Sequence, residues 1–169
     1  MKLKKVTMDS KCKIRLVEKN DFPSLLEMFH EPDTFKYIKP LANKTDDFYL
    51  SFLDLKLKQS QTEEGFYWVI VLETGEIAGA INLTPIPKTE DMQLGWQIKR
   101  AWQGKGIASA AAKAALDFAL SNTEIDPIYI VFNTQNIASQ RIGEKLGFYF
   151  LEVFGTEDDP LLKYIYERK

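Results

Sequence analysis

The run Phe66–Leu72 (FYWVIVL) is nearly all apolar and β-prone, and after Glu73-Thr-Gly-Glu76 a second such stretch follows, Ile77–Leu83. Two strand-like runs around a short Gly-containing turn read as a β-hairpin. The hairpin commits the chain to a sheet, and its flanks decide which kind. Before it, Lys13–Val17 reads as a first strand with Ile14 and Leu16 on one face. A helix over about 21–30 follows, with Asn20 or Asp21 to cap it and Pro23 in its first turn. Residues 33–44 read as a short turn or helix, and Thr45 caps a second helix over about 46–60. There Phe48, Phe52, Leu55 and Tyr49, Leu53, Leu57 recur at helical spacing.

After the hairpin, Met92–Lys99 reads as a strand with Gly95 in its interior, a mark of a bulge or a close backbone approach. Residues 104–120 are Ala-rich and helical, and Ile128–Phe132 is an apolar run suited to a central strand. Ile137–Leu146 reads as a helix that Gly147 terminates, and 148–154 and 162–167 as two last strands. The order β-α-α-β-β-β-α-β-α-β-β predicts one α/β domain over 1–169, a mixed sheet with helices packed on it.

Composition removes several classes of function. Lys+Arg at 22 against Asp+Glu at 24 gives a formal charge of -2 and no electrostatic case for nucleic acid. The single Cys12 excludes a disulfide framework, and with the single His30 it argues against a metal site built on those residues. No window has the length of a membrane span or of a signal-peptide core, so a cytoplasmic protein without a membrane partner is expected.

Two segments carry chemistry. Gln103-Gly104-Lys105-Gly106-Ile107-Ala108-Ser109 lies between a strand and a helix. Glycines at a helix start let the backbone come close to an anion, which the free N–H groups of the first turn then hold. A Walker loop and a dinucleotide fingerprint both fail, because positions 99, 106 and 109 are Lys, Gly and Ser. The second segment, Asn136-Ile-Ala-Ser139 through Gly147-Phe148, opens and closes the helix after the apolar strand. By itself it reads as a capped helix.

Together these segments make the chain resemble the Gcn5-related N-acetyltransferase (GNAT) superfamily over essentially its whole length. Leu94-Gly95-Trp96 resembles that family's fourth-strand motif, and Arg100 to Ala108 resembles its pyrophosphate loop. Asn136-x-x-Ser139 with Glu144-Lys-Leu-Gly-Phe148 resembles the branch that acetylates N-terminal amines of ribosomal proteins.

The resemblance implies an acyl-CoA N-acyltransferase fold. Its six- or seven-stranded, mostly antiparallel sheet would splay between the fourth and fifth strands, with about four helices. Acetyl-CoA would be the co-substrate, with no metal. Its pantetheine would run along Gln97, Ile98 and Lys99, and its pyrophosphate would rest on Gln103, Gly104, Lys105, Gly106, Ile107 and Ala108. Lys105 and Arg141 would meet its phosphates. An amine would attack the thioester directly, with a backbone N–H near Gln97–Ile98 facing the oxyanion. Ser139 would protonate the thiolate and Asn136 would hydrogen-bond the pantetheine.

Two positions depart from the family pattern. Gln93 stands where many relatives carry a basic Glu, and Gly143 where many carry an acidic Tyr. Glu90 or Asp91, at the strand entrance, is left to act as base through water. Phe35, Tyr37 and Ile38 fall where the superfamily places its acceptor wall. Trp96 and Trp102 read as packing residues, and Tyr164 and Tyr166 as core or dimer surface. The acceptor implied is an amine, either a protein N-terminus or a small molecule such as an amino sugar or antibiotic. A non-catalytic acyl-CoA binder is the alternative, and the chain is expected as a monomer or homodimer.

Overall fold

The computed structural model describes residues 5–7 and 12–169. Its strands are β1 (Lys5–Thr7), β2 (Cys12–Leu16), β3 (Phe66–Leu72), β4 (Ile77–Pro85), β5 (Met92–Ile98), β6 (Ile128–Asn133), β7 (Tyr149–Gly155) and β8 (Pro160–Tyr166). Its helices are α1 (Phe22–Phe29), α2 (Asp46–Thr62), α3 (Ile107–Asn122) and α4 (Ile137–Leu146). One sheet runs in the order β1-β2-β3-β4-β5-β6-β8-β7. Every pair is antiparallel except β5–β6, which is parallel. The mixed sheet and the element order are those expected, with one strand added. That strand, β1, pairs with β2 through Lys5↔Arg15 to Thr7↔Lys13. It escapes a pattern-based reading because three residues at an edge are defined by the open side of β2 rather than by an apolar rhythm of their own.

The sheet carries a core on each face. On one, Trp68, Ile70, Ile81 and Leu83 pack with Leu94 and Ile130 under α3, whose Ala111, Ala112, Ala115 and Ala119 are fully buried. Alanines let α3 lie close to the sheet. On the other, Tyr67, Val69, Val71 and Ala80 meet Leu25, Met28 and Phe29 of α1 and Tyr49 and Leu53 of α2.

Three local expectations change. Asp21 precedes α1, but its side chain does not cap it. Its carboxylate instead accepts both Arg15 guanidinium nitrogens at 2.8 Å and the Glu18 N–H at 2.7 Å, tying β2 to the helix start. The α3 helix begins at Ile107 rather than Gly104, because Gly104 and Gly106 take φ of +73° and +77°, outside the helical region. Finally, α2 buries Tyr49, Leu53 and Ser60, whereas Phe48 and Leu55 stand exposed. The buried face of α2 therefore passes through position 56, a lysine, on the 3.6-residue period.

Candidate active site

The β5–β6 ladder holds two pairs, Met92↔Ile128 and Gln93↔Tyr129, and then stops. From Leu94 and Ile130 onward the strands part, so the seam opens into a V at the position expected from the sequence. By contrast the β4–β5 ladder is continuous from Gly79↔Ile98 to Pro85↔Met92. No bulge forms at Gly95. It marks a close approach instead, since a Cβ there would lie 2.9 Å from Asn82 Oδ1.

The V holds a cavity of about 440 Å³. Its β5 wall is Gln93, Leu94, Gly95, Trp96 and Gln97, and its β6 wall runs from Ile130 to Asn133. Asn136, just before α4, and Ser139 of α4 line it beyond β6, and Asn82 and Thr84 line it from β4. Tyr37, Ile38 and Leu41 close it from the loop after α1, and Phe52 and Lys56 from α2. Asp159, from the β7–β8 turn, lies on the far side of the seam. The Lys39 ammonium donates to the Asp158 carbonyl, joining the loop after α1 to the β7–β8 turn.

Strand pairing explains which side chains enter. Residues directly opposite each other share a face. Asn82 faces Gly95 and Thr84 faces Gln93, so these four belong to the α1–α2 side of the sheet. The Asn82 amide donates to Thr84 Oγ1 at 2.9 Å, which leaves the Asn82 oxygen over Gly95. Two polar residues at alternate positions of an otherwise apolar hairpin strand were the signal for these groups, and the sequence reading passed over it.

The glycine loop continues the β5 wall. Gln103 donates from its side chain to the Ile98 carbonyl at 3.0 Å, bracing the turn. No side chain caps α3, and its first helical bond runs from Ala110 N–H to the Gly106 carbonyl. The N–H groups of 107–109 are thus without helical partners. A Cβ on Gly104 or Gly106 would meet nothing within 4 Å, so the backbone there faces open space.

The other sequence candidates fall as follows. Gln97, Asn136, Ser139, Tyr37 and Ile38 reach the cavity. Ile98 and Ile107 bury their side chains in the core and can offer only backbone. Ala108 packs against that core, and Trp102 does the same. Trp96 both packs and lines the cavity. Lys105 and Arg141 are exposed. Lys99 donates to Ser24 Oγ at 2.8 Å. Phe35 is buried in the α1–α2 core, 5.0 Å from the Phe29 ring and 5.7 Å from the Tyr49 ring, and does not line the cavity. Glu90 is exposed on the β4–β5 turn outside the lining, and Asp91 lies 3.4 Å from Lys163 Nζ. Tyr164 is buried, its hydroxyl on Glu144 Oε1 at 3.2 Å. Among the described residues lining the cavity, Asp159 bears the one carboxylate and Lys56 the one ammonium.

Asn136 caps α4, its Oδ1 accepting the Ser139 N–H at 3.2 Å. Gly143 has a structural cause. A Cβ there would overlap Ile130 Cδ1 of β6, so any larger residue at 143 requires the buried Ile130 side chain to shift. Among the described residues no three His, Cys, Asp or Glu side chains gather as a metal site. No helix among them is long and apolar enough to cross a membrane.

Comparison with known proteins agrees with this geometry. YkkB of Bacillus subtilis is 25% identical over 176 residues, spanning 100% of this chain and 98% of that one. Spermidine N(1)-acetyltransferase of Escherichia coli K12 is 28% identical over 133 residues, 70% of this chain and 69% of its own. Among solved structures, the ribosomal L7/L12 alpha-N-protein acetyltransferase RimL with coenzyme A superposes with a TM-score of 0.83 at 14% identity, over 96% of this chain and 97% of its own. The microcin C7 self-immunity acetyltransferase MccE, with acetyl-CoA and AMP, superposes at 0.78 and 16% identity, over 99% and 98%. The family model of the GNAT acetyltransferase domain matches residues 12–149, and the chain belongs to that family.

Proposed function

We propose that this protein transfers an acetyl group from acetyl-CoA to a primary amine by direct attack, with a protein N-terminal amine as acceptor. The carrying observation is the seam, where β5 and β6 part after Gln93↔Tyr129 and enclose the cavity between them. The unpaired stretch of β5 suits the extended pantetheine as an added strand. The free N–H groups at the start of α3 suit its pyrophosphate. The protein-N-terminal acceptor is supported by the RimL-like fold and by Asn136-x-x-Ser139 on the cavity wall. A cavity of about 440 Å³, within the size class of small-molecule sites, favours a small amine as the second reading.

Bound acetyl-CoA supplies the activated acyl group and a thiolate leaving group. The chain's own groups handle position, charge and protons. The Gln97–Ile98 backbone would offer an N–H to the carbonyl oxygen as its negative charge develops. Asp159 takes the place in this scheme that Glu90 held in the sequence reading, because it is the carboxylate on the cavity. Asp159 would accept the amine proton, and the Ser139 hydroxyl would hydrogen-bond the departing thiolate and relay to it a proton regained from solvent, so that one proton leaves the amine and one reaches the thiol. Calorimetric titration of acetyl-CoA, followed by thiol release on a panel of peptides and small amines, tests the reading. Micromolar binding with turnover supports it, and the panel selects the acceptor. No binding of acetyl-CoA overturns it.

A further inference from the structure

We propose that Lys56 makes this a site for an acceptor that carries a negatively charged group close to its amine, an inference that rests on reading the cavity as the acyl-transfer site. Lys56 belongs to the sheet-facing side of α2, seven residues after buried Tyr49 and four before buried Ser60. It lines the cavity and lies 5.1 Å from the centroid of the Phe52 ring, another lining residue. No described residue gives its ammonium a counter-ion or hydrogen-bond acceptor. The nearest acid in sequence, Asp54, is held by Lys19 at 3.1 Å. Burial holds the Lys56 pKa below the ordinary lysine value, because the charge loses water and gains the face of the Phe52 ring but no anionic partner.

An anionic group arriving on the acceptor would supply that partner, and the Asn82 and Gln93 amides on the same side of the sheet offer it hydrogen-bond donors. On the other half of the split sheet, Asp159 faces the cavity as its counterpart. One cation and one anion on opposite sides of the seam match an acceptor with an amine at one end and an anion at the other. A polyamine, the acceptor class named for the Escherichia coli relative, would bring a second ammonium toward Lys56 and be repelled.

The test uses the CoA-loaded full chain and matched acetylated products that differ by one charge. One pair is an N-acetyl peptide with Asp or Asn at its second residue. The other is an N-acetyl amino acid and its amide. Calorimetry should show the charged twin of at least one pair binding roughly tenfold tighter or more, as for a charge-assisted hydrogen bond. The pair that discriminates tells a peptide acceptor from a small one. Lys56→Met should abolish the difference, Lys56→Arg should keep it, and CoA affinity should hold in both. Twins that bind the wild type alike overturn the inference, and so does Lys56→Met weakening both twins equally. Failure of CoA to bind overturns the acyl-transfer reading itself, and this inference with it.

Discussion

The Asn133 side-chain amide donates to the Asp159 carboxylate at 3.3 Å, joining the end of β6 to the β7–β8 turn. The Asn133 oxygen accepts the Gln135 N–H at 2.9 Å, in the turn that leads to Asn136 and α4. One asparagine thus holds the carboxylate that lines the cavity and steadies the entry to the helix carrying Ser139.

Asp159→Asn keeps the size of the side chain and removes the proton acceptor. Turnover should fall by about 10²–10⁴, the usual worth of a positioned base, with acetyl-CoA affinity unchanged. Steady-state kinetics beside calorimetry checks it. A variant with wild-type turnover would remove Asp159 from the mechanism.

Ser139→Ala should lower turnover by about 10² or more without a large loss of stability, because the α4 cap uses the Ser139 backbone and not its hydroxyl. Asn136→Ala should separate from it. Loss of the cap costs about 1 kcal/mol, visible as a lower melting temperature, in addition to any effect on catalysis. Equal melting temperatures for the two variants would contradict this division.

Gly106→Val and Gly75→Val form a controlled pair. Both glycines have positive φ, +77° and +89°, and neither Cβ would meet an atom within 4 Å. Each variant should lose about 1–2 kcal/mol to left-handed backbone strain. Gly106→Val alone should lose acetyl-CoA affinity, by tenfold or more, because its side chain enters the space the pyrophosphate needs. Gly75, in the β3–β4 turn, should bind acetyl-CoA like the wild type when substituted.

Placing a tyrosine at this position by Gly143→Tyr should not add activity. The side chain would have to displace buried Ile130, and overpacking of that kind costs about 1–3 kcal/mol. Chemical denaturation measures the loss, and a variant faster than wild type would show that α4 can move away from β6.

Much of this was legible in order along the chain. Local chemistry marks the hairpin and Gly147 at the end of α4, since each depends on residues within a few positions. The GNAT resemblance, carried by two short segments, located the split seam. Elements whose partners are distant were harder to read. Helical spacing along α2 marks Phe48 and Leu55 as well as Tyr49 and Leu53, and only packing on β3 selects the face that buries Tyr49 and exposes Leu55. Phe35 looked like an acceptor-wall aromatic and is held in the core by Phe29 and Tyr49.

The acid–base groups divide in the same way. By itself the sequence determined the sheet, the glycine loop and the departures at Gln93 and Gly143, because periodicity, turn chemistry and helix ends are local. Tertiary structure alone decided which charged side chains reach the cavity. Asp159 sits in an acidic turn, Thr156-Glu-Asp-Asp-Pro160, that reads as ordinary solvated loop, and Lys56 reads as a surface helix lysine. They meet one cavity because β8 pairs with β6 on the edge away from the open seam, while α2 packs on β3 on the other side of that seam. Contacts made over a hundred residues of chain are set by how the layers pack, and no local pattern encodes them.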